Sequence, residues 1–208
     1  MFLHLDGRIA SVGFASGDRF VVGDWRTTPV GSMNDVLWAR PSGERVLLAP
    51  SERVADFVCS VYRFDRVDIV PFTVAGDRRS LFVTAGKVEI ALRCGWAVRV
   101  PVVRPRWFTR VVEDPIARVL LDVSTFGVSP TGVHEWYRAT GFRRAHSAIA
   151  AIDGRDLGPF GPARPALRVG FGEAPRFASI VELRTTVDGR ATDAWHATAR
   201  TEMAAIPL

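Results

Sequence analysis

Alternation of apolar and polar side chains over Lys87–Arg93 is the feature that most restricts this chain. Val88, Ile90 and Leu92 fall on one face, and Lys87, Glu89, Ala91 and Arg93 on the other. Successive side chains of an extended chain point to opposite faces, so the pattern fits a half-buried strand. Trp96–Val100 alternates in the same way. Short apolar runs recur with turn residues between them. Ile9–Phe14 and Asp18–Trp25 flank Ser16-Gly17, and Asp35–Arg40 and Glu44–Ala49 flank Pro41-Ser42-Gly43. Val67–Val74 and Ser80–Thr84 flank Gly76-Asp77. Further on, Val133–Ala139 and Phe142–Ile152 are read as a hairpin closed by Thr140-Gly141, with a second turn at Asp153-Gly154. Leu167–Phe171 and Phe177–Val187 complete the set. Strands separated by turns rather than by helices pair antiparallel. The expected fold is therefore mainly β, an antiparallel sheet of about ten strands curled into a barrel or closed sandwich, as large sheets curl or split.

Two helical segments break the pattern. Ser51 can cap a helix in which Val54, Phe57, Val58 and Val61 share one face, so Ser51–Tyr62 reads as an amphipathic helix laid over the sheet. Pro105–Leu121 reads as a short helical pair meeting at Pro115, because a proline inside a helix costs about 3 kcal/mol. Residues 158–166 are a Pro/Gly-rich loop that suits neither a helix nor a central strand. A chain of 208 residues fits one domain, 1–208, with 190–208 as a peripheral tail.

The chain carries 27 basic and 22 acidic residues, and Lys87 is the only lysine. The arginines are dispersed, with Arg78-Arg79 and Arg143-Arg144 the longest runs, so no nucleic-acid partner is expected. Cys59 and Cys94 stand 35 positions apart, and the four histidines are scattered, which gives no metal spacing. No cofactor is expected: Gly170-Phe171-Gly172 lacks the third glycine of a dinucleotide loop, and there is no Walker sequence. Gly127–Gly132 misses the nucleophile elbow by one position. With no apolar leader and no long apolar stretch, neither export nor a membrane is expected, and the cytoplasm is the expected compartment.

Several stretches resemble a group of small uncharacterised proteins of high-GC actinobacteria. They are Phe14–Arg19, Val46–Ser51, Val61–Asp65, and above all Gly127–Gly132 leading into Glu135-Trp136-Tyr137-Arg138. The resemblance runs to about Pro175 and implies a bacterial cytosolic origin. It brings no activity and no catalytic residue with it.

His134-Glu135-Trp136-Tyr137-Arg138 is the densest polar and aromatic cluster. On a strand, Glu135 and Tyr137 share one face while His134, Trp136 and Arg138 share the other. Burial of Glu135 raises its pKa toward that of a general acid, and a paired strand bearing His146 brings an imidazole to it. The plainer reading is a strand in which Trp136 packs and the charges pair at the surface. Lys87 reads as a solvated strand-end lysine rather than a desolvated amine. Arg106 and Trp107, at a helix start, suit an anion or a flat ligand. Six tryptophans and 13 phenylalanines either fill the core or line a cavity.

Three functions follow. The first is a non-catalytic binder of a small apolar or aromatic molecule in a β-lined cavity, with Trp136, Arg138, Trp107 and Arg106 as ligand contacts. The second is a small-molecule enzyme with acid–base chemistry at Glu135, Tyr137, His134 and His146. The third is a structural protein whose exposed aromatics form a homodimer.

Overall fold

The computed structural model describes residues 2–96, 98–99, 126–170 and 173–188. Among them the first elements are β1 (Phe2–Phe14), β2 (Arg19–Thr27), β3 (Met33–Ala39), β4 (Arg45–Ala49), α1 (Glu52–Val61) and β5 (Arg66–Ile69). Next come β6 (Phe72–Gly76), β7 (Ser80–Ala85), β8 (Val88–Cys94), β9 (Val98–Arg99) and β10 (Phe126–Val128). The last are β11 (His134–Ile152), β12 (Arg155–Asp156), β13 (Phe160–Gly161) and β14 (Ser179–Asp188). The expected helical pair over Pro105–Leu121, with Arg106 and Trp107, and the tail 190–208 lie outside the described residues.

The protein is mainly β, and its sheet is curled. The strand order is β5-β4-β3-β2-β1-β14-β11-β8-β7-β6, with β9, β10 and β12 beside β11 and β13 beside β1. The result is an open half-barrel rather than a closed one. Along this path every pairing is antiparallel except β4 with β5, which is parallel. A parallel pair needs a crossover, and α1 supplies it. The helix starts where Ser51 accepts a hydrogen bond from the Val54 amide, and it buries Val54, Ala55, Phe57, Val58 and Val61.

Two expectations about strands are corrected. Val67–Val74 is not one strand: it breaks at Val70-Pro71 into β5 and β6, which stand at opposite ends of the strand order. Proline has no amide to donate, so a ladder does not run through it. Likewise, Val133–Ala139 and Phe142–Ile152 are not a hairpin. They are one 19-residue strand, β11, with a bulge between Ala139 and Gly141. A tight two-residue hairpin turn needs positive φ. Gly141 is not among the positive-φ glycines, whereas Asp153 (φ 53°) and Gly154 (φ 76°) both have it and do form the β11–β12 turn. Leu167–Gly170 is irregular rather than a strand, and Trp96 stands outside β9, exposed.

β11 is the corner of the fold. Its first half pairs with β14 through Arg144, and its second half pairs with β8 from Ala145 onward. A strand that passes between two parts of a curled sheet bends at bulges. The curl creates two cores. In one, Phe20, Val22, Val36 and Trp38 pack with Leu81, Val83, Ile90 and Leu92. In the other, Val21, Leu37, Leu47, Leu183 and Val187 pack under α1 with Phe57, Val58 and Val61. Strands β2–β4 are thus buried on both faces, which is why Val46–Ala49 is a continuous apolar run and not an alternating one.

Candidate functional site

The second core is not filled. A cavity of about 170 Å³ lies between the sheet and a roof made by α1 and by residues 167–170 and 173–175. Its floor follows from period two. Val21, Gly23 and Trp25 on β2, Met33, Asp35 and Leu37 on β3, and Leu183, Thr185 and Val187 on β14 all face it, as do Glu135, Tyr137 and Ala139 on β11. Side chains at i, i+2 and i+4 of a strand share a face. The roof contributes Phe57, Val58, Val61 and Tyr62 from α1 and its end, then Val169, Gly170 and Glu173.

Glycines make the space. A Cβ at Gly23 would sit 2.3 Å from Asp35 Oδ1 and 2.5 Å from Trp25 Nε1. The indole of Trp25 crosses this bare backbone to donate to Asp35 Oδ1 at 3.1 Å. Gly170 faces the ring of Tyr62 in the same way, and a Cβ there would lie 2.7 Å from Tyr62 Cε1. Both approaches are available only to a residue without a side chain.

One polar cluster interrupts the apolar wall. The Tyr62 hydroxyl donates to Glu135 Oε2 at 2.8 Å, and the Tyr137 hydroxyl donates to the same oxygen at 2.8 Å. The two hydroxyl oxygens also touch one another. Glu135 is fully buried, and its Oε1 has no hydrogen-bond partner among the described residues. Thr185 Oγ1, on the strand that pairs with this part of β11, is also buried without a partner among them. Desolvation raises the Glu135 pKa to about 7, opposed by the hydrogen bonds from Tyr137 and Tyr62. Burial likewise raises Asp35 to about 7, opposed by the Trp25 indole N–H. Both phenols are held well above their ordinary range, first by burial and then by the charge of Glu135.

The roof is pinned by an ion pair whose guanidinium is buried. Arg19 is 1% exposed and its guanidinium contacts Glu173 at 2.6 Å. It also donates to the carbonyls of Pro165 and Ala174, at 3.1 and 2.9 Å. Glu173 in turn accepts from the amides of Leu167 and Arg168. Burial lowers the Arg19 pKa, and Glu173 opposes that shift.

The structure sorts the residues singled out in the sequence. Glu135 and Tyr137 reach the cavity. His134, Trp136 and Arg138 do not line it: they stand on the other face of β11, where Trp136 stacks on His134 and meets the edge of Phe2. His146 is exposed on the same strand, eleven residues along, so the expected cross-strand meeting with Glu135 does not occur. Extended chain of that length spans about 35 Å. Lys87 is exposed at a turn and paired with Asp153 at 2.9 Å.

Asp35, Tyr62, Thr185 and Glu173 are not among the candidates the sequence offers, and Trp25 is one only as a member of the six tryptophans that fill the core or line a cavity. For two of them a signal existed: Asp35 interrupts the stripe Met33-x-Asp35-x-Leu37-x-Ala39, and Thr185 interrupts Val181-x-Leu183-x-Thr185-x-Val187. A single polar residue within a buried period-two face needs a partner or a purpose. Tyr62 has no such local mark, since its role depends on where α1 ends.

No family model matches this chain, and no curated protein matches it. Among solved structures, it is similar to the acetoacetate decarboxylase of Legionella pneumophila, with a TM-score of 0.40 and 9% identity over 89% of this chain and 84% of that one. A second acetoacetate decarboxylase structure gives a TM-score of 0.38 and 8% identity with the same coverage.

Proposed function

We propose that the protein binds a small, largely apolar molecule in the cavity beneath α1, with one polar group of the guest on Glu135. One observation carries this reading. An apolar cavity holds a fully buried carboxyl group whose Oε1 lacks a hydrogen-bond partner among the described residues. Leaving a charged or polar atom so placed costs about 1–3 kcal/mol or more, a cost that a guest offering a hydrogen bond removes. The size is also suitable, because a cavity of about 150 Å³ holds a benzene ring.

Thermal-shift and Trp-emission titrations with six- to ten-atom apolar probes test it, since Trp25 stands in the wall. Stabilisation that disappears when Ala139→Leu fills the cavity is the expected result. Binding unchanged in that variant places the guest elsewhere and ends this reading.

A second reading is acid–base catalysis at Glu135, favoured by a carboxyl group with a pKa of about 7 in contact with two phenols. A group poised near the operating pH transfers protons most effectively. Turnover of a bound probe that vanishes in Glu135→Gln, with binding retained, separates the enzyme from the binder. His146 has no part in this reading, given its distance.

A further inference from the structure

The charges around the cavity select among guests. Its wall contains three carboxyl groups, Asp35, Glu135 and Glu173, and no Lys, Arg or His among the described residues. Glu173 is neutralised by Arg19 and by two backbone amides. Asp35 has the Trp25 indole, a neutral donor. Glu135 has two neutral phenols, both on Oε2. Among the described residues, two buried carboxyl groups therefore stand without a cation. Thr185 Oγ1 is a further acceptor with no partner among them. In register, Thr185 lies opposite Tyr137, which puts it diagonal to Glu135 on the same face.

An anionic guest would bring its charge into a low-dielectric space that offers it no cation among the described residues and holds two carboxyl groups of the same sign when ionised, so carboxylates and phosphates are disfavoured. A pure hydrocarbon would leave Oε1 and Oγ1 unsatisfied. A protonated amine on an apolar body meets both requirements: it supplies N–H donors and the missing positive charge. We propose that the cavity is a site for a small organic amine, bound as its ammonium on Glu135 Oε1 with Thr185 Oγ1 as a second acceptor. This rests on the binding function above and names the class of its ligand.

Binding is then linked to protons. The groups bonded to Glu135 are Tyr137 on β11 and Tyr62 at the end of α1; Asp35 on β3 and Glu173 share the cavity wall, and Arg19, with Arg176 near it, pairs with Glu173. Burial keeps Glu135 partly protonated near neutral pH. The ammonium binds the ionised carboxylate, so the carboxyl proton leaves to solvent as the cation enters. Amine affinity rises with pH until Glu135 is fully ionised.

Isothermal titration of the whole chain with cyclohexylmethylamine, cyclohexylmethanol, methylcyclohexane and cyclohexanecarboxylate tests this, because the four share one apolar body. The amine is expected to bind about tenfold more tightly than the alcohol near pH 8, as a charge-assisted bond outweighs a neutral one. Its affinity should increase from about pH 6 to 8, with proton release detected in buffers of different ionisation enthalpy. Thr185→Val should weaken the amine severalfold, and Glu135→Gln should abolish its advantage over the alcohol. Alcohol, hydrocarbon or carboxylate binding as tightly as the amine overturns the amine assignment while the cavity remains a binding site. If none of the four binds, the binding function fails with it.

Discussion

Tyr62 donates to Glu135 Oε2 at 2.8 Å across 73 positions of sequence. Tyr62 is the residue that ends α1, its amide bonded to the Val58 carbonyl. The hydrogen bond therefore ties the roof of the cavity to its floor. Tyr62→Phe removes that tie and one of the two hydrogen bonds that oppose the desolvation of Glu135. The expected cost is about 1–2 kcal/mol in urea unfolding, with the Glu135 pKa moving further up. Carbon-detected NMR titration of the glutamate carboxyl groups reads the second effect. A Glu135 pKa unchanged in Tyr62→Phe contradicts this role.

Glu135 makes stability depend on pH in a defined window. Its folded pKa of about 7 lies above the ordinary value of 4.5, so between these values the folded chain keeps a proton that the unfolded chain releases. The contribution favours folding below about pH 4.5, declines as pH rises, and is fully lost above about pH 7. Glu135→Gln removes this dependence. Relative to the parent, the variant gains on the order of 3 kcal/mol between about pH 4.5 and 8. Asp35→Asn behaves alike, because its carboxyl group is raised to about 7 from 3.8 by the same burial. Denaturant melts across this range measure both, and parallel curves for parent and variants would refute the assignment.

Gly23→Ala places a methyl group where Trp25 and Asp35 meet. The Trp25–Asp35 hydrogen bond is broken and the indole is pushed into the cavity. A loss of about 1–3 kcal/mol is expected, as for other overpacked sites. Near-UV circular dichroism should change with it, and probe binding should weaken.

The Arg19–Glu173 pair responds unequally to removal of its partners. Glu173→Ala leaves a buried guanidinium without its counter-charge, at a cost of about 3–5 kcal/mol. Arg19→Met leaves a carboxylate that is one-quarter exposed and keeps two backbone amides, so the smaller loss is expected there. Unfolding free energies of the two variants check the order. Limited proteolysis within 162–175 should speed up in both, because Arg19 holds the carbonyls of Pro165 and Ala174.

What the chain declares by itself is what short-range geometry controls. Period two assigned β8 and the shared face of Glu135 and Tyr137, because side-chain direction is fixed by each residue's own backbone. The spacing of Val54, Phe57, Val58 and Val61 behind Ser51 assigned α1 for the same kind of reason. Partner choice is different, because pairing of strands is settled by distant surfaces. Thr140-Gly141 looks like a turn, yet β14 pairs with residues on both sides of it and holds the chain extended. That one continuation carries His146 away from Glu135. Equally, only the crossover that places α1 over the sheet brings Tyr62 to Glu135, and only burial on both faces of β3 turns Asp35 from a surface charge into a wall of the cavity. Alternation tells which side of a strand a residue takes; the curl of the sheet decides what waits on that side.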